Sequence, residues 1–106
     1  MQFSRDKHGA PLAVAEGKDE EQALANFLQS DVQDDNIIAR ELLDMADEVA
    51  RGALGRYEFN GNAHELTMKH DEAVIRNSMD DKDDTEQRIP LADFRRALSG
   101  WLTFIG

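Results

Sequence analysis

The sequence has no cysteine, so no disulfide framework and no thiolate nucleophile or metal ligand can form, and the expected compartment is the cytosol. It has one Trp, one Tyr and two Pro, so each of these marks a particular place in the chain. No apolar run approaches the ~18 residues of a membrane span, which excludes a single-pass anchor of that kind. The opening residues, Met1-Gln2-Phe3-Ser4-Arg5-Asp6, are too polar for a secretory signal, and no membrane partner is expected. Basic residues are also scarce. Twelve Lys and Arg stand against twenty-two Asp and Glu, a formal net charge of −10. A chain of that sign repels nucleic-acid phosphates, so no nucleic-acid partner is expected. The same field attracts a basic protein and speeds its docking.

The 106 residues, with a hydrophobic fraction of 41%, suit one globular domain spanning residues 1–106. Residues 2–6 and 12–15 flank Lys7-His8-Gly9-Ala10 and predict a hairpin. A helix begins near Asp19, where Asp19, Glu20 and Glu21 meet the positive end of the helix dipole. Leu24, Phe27 and Leu28 follow at helical spacing, and Ser30-Asp31 interrupts. A longer helix is expected over 34–51, with Ile38, Leu42, Met45 and Val49 as its burial stripe. Glu41, Asp44 and Glu48 form a second stripe beside it, continued towards the N-terminus by Asp34.

Strand signals then take over. Tyr57-Glu58-Phe59 precedes the tight-turn residues Asn60-Gly61-Asn62, and residues 63–69 alternate with His64, Leu66 and Met68 on one face. Residues 72–77 continue the meander. Residues 79–87, MDDKDDTEQ, hold five carboxylates and one lysine without periodicity and read as a solvated loop. Pro90 suits a first helical turn. Leu91, Phe94, Leu98, Trp101, Leu102 and Ile105 then share one helical stripe. The predicted order is ββ-αα-βββ-α. Short turns between consecutive strands mean antiparallel pairing, so the fold class is α+β, a two-layer antiparallel sheet packed by helices.

Candidate chemistry is thin. Asp80, Asp81, Asp83, Asp84 and Glu86 gather charge but lack the central Gly and final Glu of a calcium loop. His8, His64 and His70 show no zinc spacing. No Ser or Thr stands in a nucleophile context, and the seven glycines form no phosphate loop. The expectation is therefore no catalytic residue, no metal and no cofactor. His64 reads as a structural residue at the sheet edge, and Trp101 as core rather than as an interface anchor. The carboxylate stripe reads equally as a solvated face or as ordered charge for a basic partner.

Two segments carry a resemblance. Tyr57-Glu58-Phe59-Asn60-Gly61-Asn62-Ala63-His64-Glu65-Leu66 and Ala73-Val74-Ile75-Arg76-Asn77 lead to Ile89-Pro90-Leu91-Ala92-Asp93-Phe94 with Leu98 and Trp101. Together, over residues 57–105, they resemble small bacterial immunity proteins of contact-dependent and other polymorphic toxin systems. The same region is similar, more loosely, to the YacL-like family of small acidic proteins. The N-terminus and the length of the acidic loop depart from the YacL-like pattern. The first resemblance implies a protein that binds and neutralises a cognate toxin domain, expected to be a basic nuclease. Contact would fall on Asp34, Glu41, Asp44, Glu48, Asp80, Asp81, Asp83 and Asp84. The second implies a free-standing acidic housekeeping protein.

Overall fold

The computed structural model describes residues 1–17, 19–78 and 86–106. The N-terminal hairpin pairs β1 (Gln2–Arg5) with β2 (Pro11–Val14), Phe3 opposite Ala13. Helix α1 (Asp19–Phe27) runs into a π-helical turn (Leu28–Val32), and α2 (Asn36–Ala50) follows. A meander of β3 (Arg56–Asn60), β4 (His64–Lys69), β5 (Glu72–Asn77) and β6 (Glu86–Pro90) leads to α3 (Leu91–Ile105). The class is α+β, as the patterning predicts. The hairpin stays a separate two-stranded sheet, and the meander is a four-stranded antiparallel sheet in the order β3-β4-β5-β6.

Strand β6 adds to the expected set. Glu86 and Gln87, expected in the acidic loop, pair with Arg76 and Ile75 of β5. Only Ile89 of this strand is buried, so no apolar alternation announces it. Pro90 ends β6 and caps α3 from outside, with ψ of 133°, so it precedes the first helical turn instead of opening it. The Leu91 N–H donates to the Asp71 carbonyl and fixes the start of α3 against the β4–β5 turn.

The core lies between the sheet and the helices. From the sheet come Leu66, Met68, Ala73, Ile75 and Ile89, and from α3 Leu91, Phe94, Leu98 and Trp101. Leu102 and Ile105 are only half-buried at the end of that stripe. Helix α2 buries Ala39, Leu42, Ala46 and Val49, while Ile38 and Met45 are half-buried. The buried stripe is therefore centred on two alanines. Their small side chains let the helix backbone approach its neighbours, which turns the larger Ile38 and Met45 towards the rim. The helix closes with a Schellman arrangement: Gly52, with φ of 80°, donates to the Val49 carbonyl and Ala53 donates to that of Glu48.

The π-helical turn ties the layers together. It forms where Ser30-Asp31 was expected to interrupt the helix, with the Gln33 N–H donating to the Leu28 carbonyl. The Gln29 side chain accepts from the Ala13 N–H of β2, and the Ser30 carbonyl accepts from the Asn62 amide of the β3–β4 turn. The Gln33 carbonyl accepts the Trp101 indole N–H at 2.7 Å. Trp101 is fully buried, and Phe3 of the hairpin stacks edge-on against it with ring centroids 5.1 Å apart.

Candidate functional site

Two places hold chemistry that packing alone does not explain. The first is the outer face of α2. Asp35 caps this helix, its carboxylate accepting from the Ile37 and Ile38 N–H groups at 3.0 Å each. The helix therefore starts at Asn36. Asp34 stands in the preceding turn, exposed, and does not extend the carboxylate stripe as the sequence pattern suggested. Glu41 and Asp44 are exposed on the helix. Glu48 is half-buried and paired with Arg51 at 2.5 Å, and Asp47 is paired with Arg95 at 2.5 Å. Glu41 and Asp44 make no ion pair among the described residues. Of the expected contact residues, the structure brings Glu41 and Asp44 together and places Glu48 in an internal pair. Asp80, Asp81, Asp83 and Asp84 lie outside the described residues.

Glu41 and Asp44 rim a shallow groove of about 800 Å³ between α2 and the end of α3. Met45 and Leu102, both half-buried, supply its apolar floor, and Arg40 and Thr103 also line it. Ile37 stands at the same groove with 76% of its surface in solvent. An apolar surface with a carboxylate rim fits a partner segment that combines aliphatic or aromatic side chains with Lys or Arg. Glu41 also acts across to β3. Burial first, and then the negative charge of Glu41, push the Tyr57 phenol above its ordinary pKa.

The second place is the buried pair Asp31–His64. The pattern placed His64 at the sheet edge, but β4 is an interior strand and His64 opens it, 6% exposed. Asp31 Oδ1 lies 3.0 Å from His64 Nδ1, and Oδ2 accepts from the His64 backbone N–H at 2.9 Å and from Ala63 at 3.3 Å. Gly61 is close by, and a Cβ there would overlap the Asp31 carboxylate. Sequence reasoning passed over Asp31 because it treated Ser30-Asp31 as a helix break. The signal that marks it is a carboxylate between the apolar positions Leu28 and Val32, where a solvated break needs no such flanks.

Among the described residues no three His, Asp or Glu side chains gather as a group that would hold a metal. Among them, too, no helix is long and apolar enough to cross a membrane.

No curated protein matches the chain. No solved structure matches it either. A family model does, over residues 1–90, which takes in the N-terminal hairpin, both helices that follow it and the whole sheet, and stops where α3 begins. That span reaches further towards the N-terminus than the resemblance at residues 57–105, and it agrees with the looser of the two likenesses, that to an uncharacterised family. The chain belongs to the uncharacterised protein family UPF0231.

Proposed function

We propose that this protein works by binding, not by catalysis, and that it engages a basic protein partner through the groove between α2 and the end of α3. The observation that carries the reading is the pairing of an exposed aliphatic residue, Ile37, with the carboxylates Glu41 and Asp44, which form no ion pair among the described residues, on a groove floored by Met45 and Leu102. The aliphatic surface supplies affinity once it is covered. The carboxylates supply attraction at a distance and rejection of acidic competitors. The net charge of −10 extends that attraction over the whole molecule.

The partner distinguishes two forms of the proposal. In the toxin-neutralising form it is a nuclease domain whose own substrate is a polyanion, and the acidic groove competes for its basic surface. In the housekeeping form the chain is free-standing and its basic partner is a resident of the same cell. Deletion of the gene separates them. Loss that is lethal only while a neighbouring toxin gene is intact supports neutralisation. Loss that is tolerated, or that harms cells lacking any such neighbour, supports the housekeeping form. Capture of a partner that is neither basic nor displaced by substitutions in the groove overturns both.

A further inference from the structure

We propose that His64 is the anchor of a small-molecule site that takes a neutral ring carrying adjacent N–H and C=O groups, the cyclic-amide chemistry of lactams and pyrimidine bases. The site follows from the sheet register. His64 lies opposite Asn77, and Ile75 opposite Gln87 and Leu66. These positions belong to the helix-covered face that elsewhere holds Leu66, Met68, Ala73 and Ile89. At this end of the sheet the covered face turns polar. Helix α1 meets it with Gln22 and Asn26, so a groove of about 270 Å³ opens between carboxamides and the imidazole. Ile75 and Ala23 give it apolar walls, and Asp19 also lines it.

The second observation is the state of the ring. His64 is 6% exposed, and its Nε2 has no hydrogen-bond partner among the described residues. Nδ1 is engaged by Asp31, which does not line the groove. A carboxylate only accepts, so Nδ1 carries the proton, and in the neutral ring Nε2 is left as an acceptor. Phe27 packs edge-on at 6.1 Å between ring centroids and helps hold the imidazole in place. No side-chain nitrogen or oxygen among the described residues is both buried and unpaired, so Nε2 is the edge of this ring that reaches the groove, where it can accept an N–H or O–H from whatever fills it.

The carboxamides complete the pattern. Gln22 Nε2 donates to Asn26 Oδ1 at 3.0 Å, which leaves the Asn26 amide hydrogens and the Gln22 oxygen for a ligand. Gln87 offers one donor group and one acceptor. The set therefore presents an acceptor at His64 beside donors at Asn26 and Gln87, which matches a ligand whose own N–H and C=O are neighbours. Among the described residues the lining holds no Lys or Arg, and Asp19 adds a carboxylate, which favours a neutral ligand over an anionic one. The volume falls below the roughly 300–1,000 Å³ of drug-sized pockets, so one ring fills it.

The test is an NMR titration of the full chain, following the His64 ring and the side-chain amides of Asn26 and Gln87. The probes are uracil and δ-valerolactam, with N-methyl-δ-valerolactam as the variant that lacks the N–H. The expected result is a saturable shift of all three groups with a dissociation constant on the order of 1 mM, an ordinary strength for a ring-sized ligand. Tighter binding of uracil assigns the site to pyrimidine bases, and equal binding assigns it to cyclic amides in general. Asn26→Ala, on the exposed side of α1, should weaken binding about fivefold, the usual effect of one lost hydrogen bond, while leaving the fold intact. Absence of a saturable shift at His64, or equal binding of the N-methylated ring, overturns the proposal.

Discussion

Asp31 and His64, 33 residues apart in the chain, are joined twice: ring Nδ1 to Oδ1 at 3.0 Å and backbone N–H to Oδ2 at 2.9 Å. The pair links the π-helical turn to the first residue of β4, so one carboxylate sets the position of a helix junction and of a sheet strand together. Its side chain is wholly out of solvent. Removing Asp31 leaves the ring N–H and the backbone N–H of His64 without their acceptor, at a cost of about 1–3 kcal/mol for each buried group left unpaired. Asp31→Ala should lower the urea midpoint accordingly. Asp31→Asn, which keeps the shape, should cost less. A loss below about 1 kcal/mol for Asp31→Ala, a value usual for exposed pairs, would show that the contact does not hold the fold.

Gly61 gives an independent reading of the same contact. Gly61→Ala should destabilise, because its Cβ meets the Asp31 carboxylate. In an Asp31→Ala background the obstruction is gone, so the same substitution should cost much less. A double-mutant cycle measures this, and the expected interaction is within ~0.5–3 kcal/mol. Additive costs would place Gly61 away from Asp31.

Trp101 is the only tryptophan, so its fluorescence reports one site. Trp101→Ala should cost ~3–5 kcal/mol, enough to unfold most of a marginal domain. Trp101→Phe should cost less than Trp101→Ala: it keeps an aromatic ring against Phe3 but loses the hydrogen bond to the Gln33 carbonyl, about 1 kcal/mol, and part of the buried ring volume. The native emission should be blue-shifted and should move red on unfolding. Emission already typical of exposed indole would contradict the buried placement.

The single tyrosine allows a pH test of the α2 face. Burial, and then the charge of Glu41, raise the Tyr57 pKa from its ordinary value of 10.0. A group whose folded pKa is raised contributes its stability in full below the unfolded value. That contribution is lost as pH rises through the folded value, because the unfolded chain releases the proton first. Absorbance of the phenolate should therefore appear at higher pH in the native protein than in urea. Glu41→Gln should bring the native midpoint part of the way down, with the burial contribution remaining. A midpoint that ignores Glu41 would place the carboxylate away from Tyr57.

The sequence carries some parts of this structure plainly and others not at all. The hairpin follows from its Gly-bearing turn, although β2 buries Pro11 and Ala13 and leaves Val14 exposed, and the meander from Tyr57 to Asn77 and the stripe Leu91–Phe94–Leu98–Trp101 follow from alternation and helical spacing, because they bury large side chains on one face. Strand β6 is silent because it buries one large residue and takes its place from the edge of β5. The rotation of α2 is silent because spacing favours the large residues Ile38 and Met45 over Ala39 and Ala46, while close helix packing favours the small ones. The Asp31–His64 pair depends on a contact between distant segments, which periodicity cannot register. The α2 carboxylates were legible as a stripe. Which of them are already paired, Glu48 and Asp47, depends on Arg51 and Arg95 and emerges only in three dimensions.

Docking of a basic partner should depend on salt. The Debye length shortens from ~30 Å at 0.01 M to ~8 Å at 0.15 M, so association should slow several-fold over that range. Glu41→Gln with Asp44→Asn should slow it further and flatten the salt dependence, with the fold unchanged because both residues are exposed. An association rate indifferent to salt would remove the electrostatic part of the account.

The groove itself is tested most directly by placing a photo-crosslinking amino acid at Ile37, in the native host, and identifying what it captures by mass spectrometry. The account predicts one predominant basic protein, captured from position 37 and not from Glu58 on β3, and lost when Glu41→Gln and Asp44→Asn are combined. Capture that is the same from both positions, or that survives removal of the two carboxylates, would contradict it.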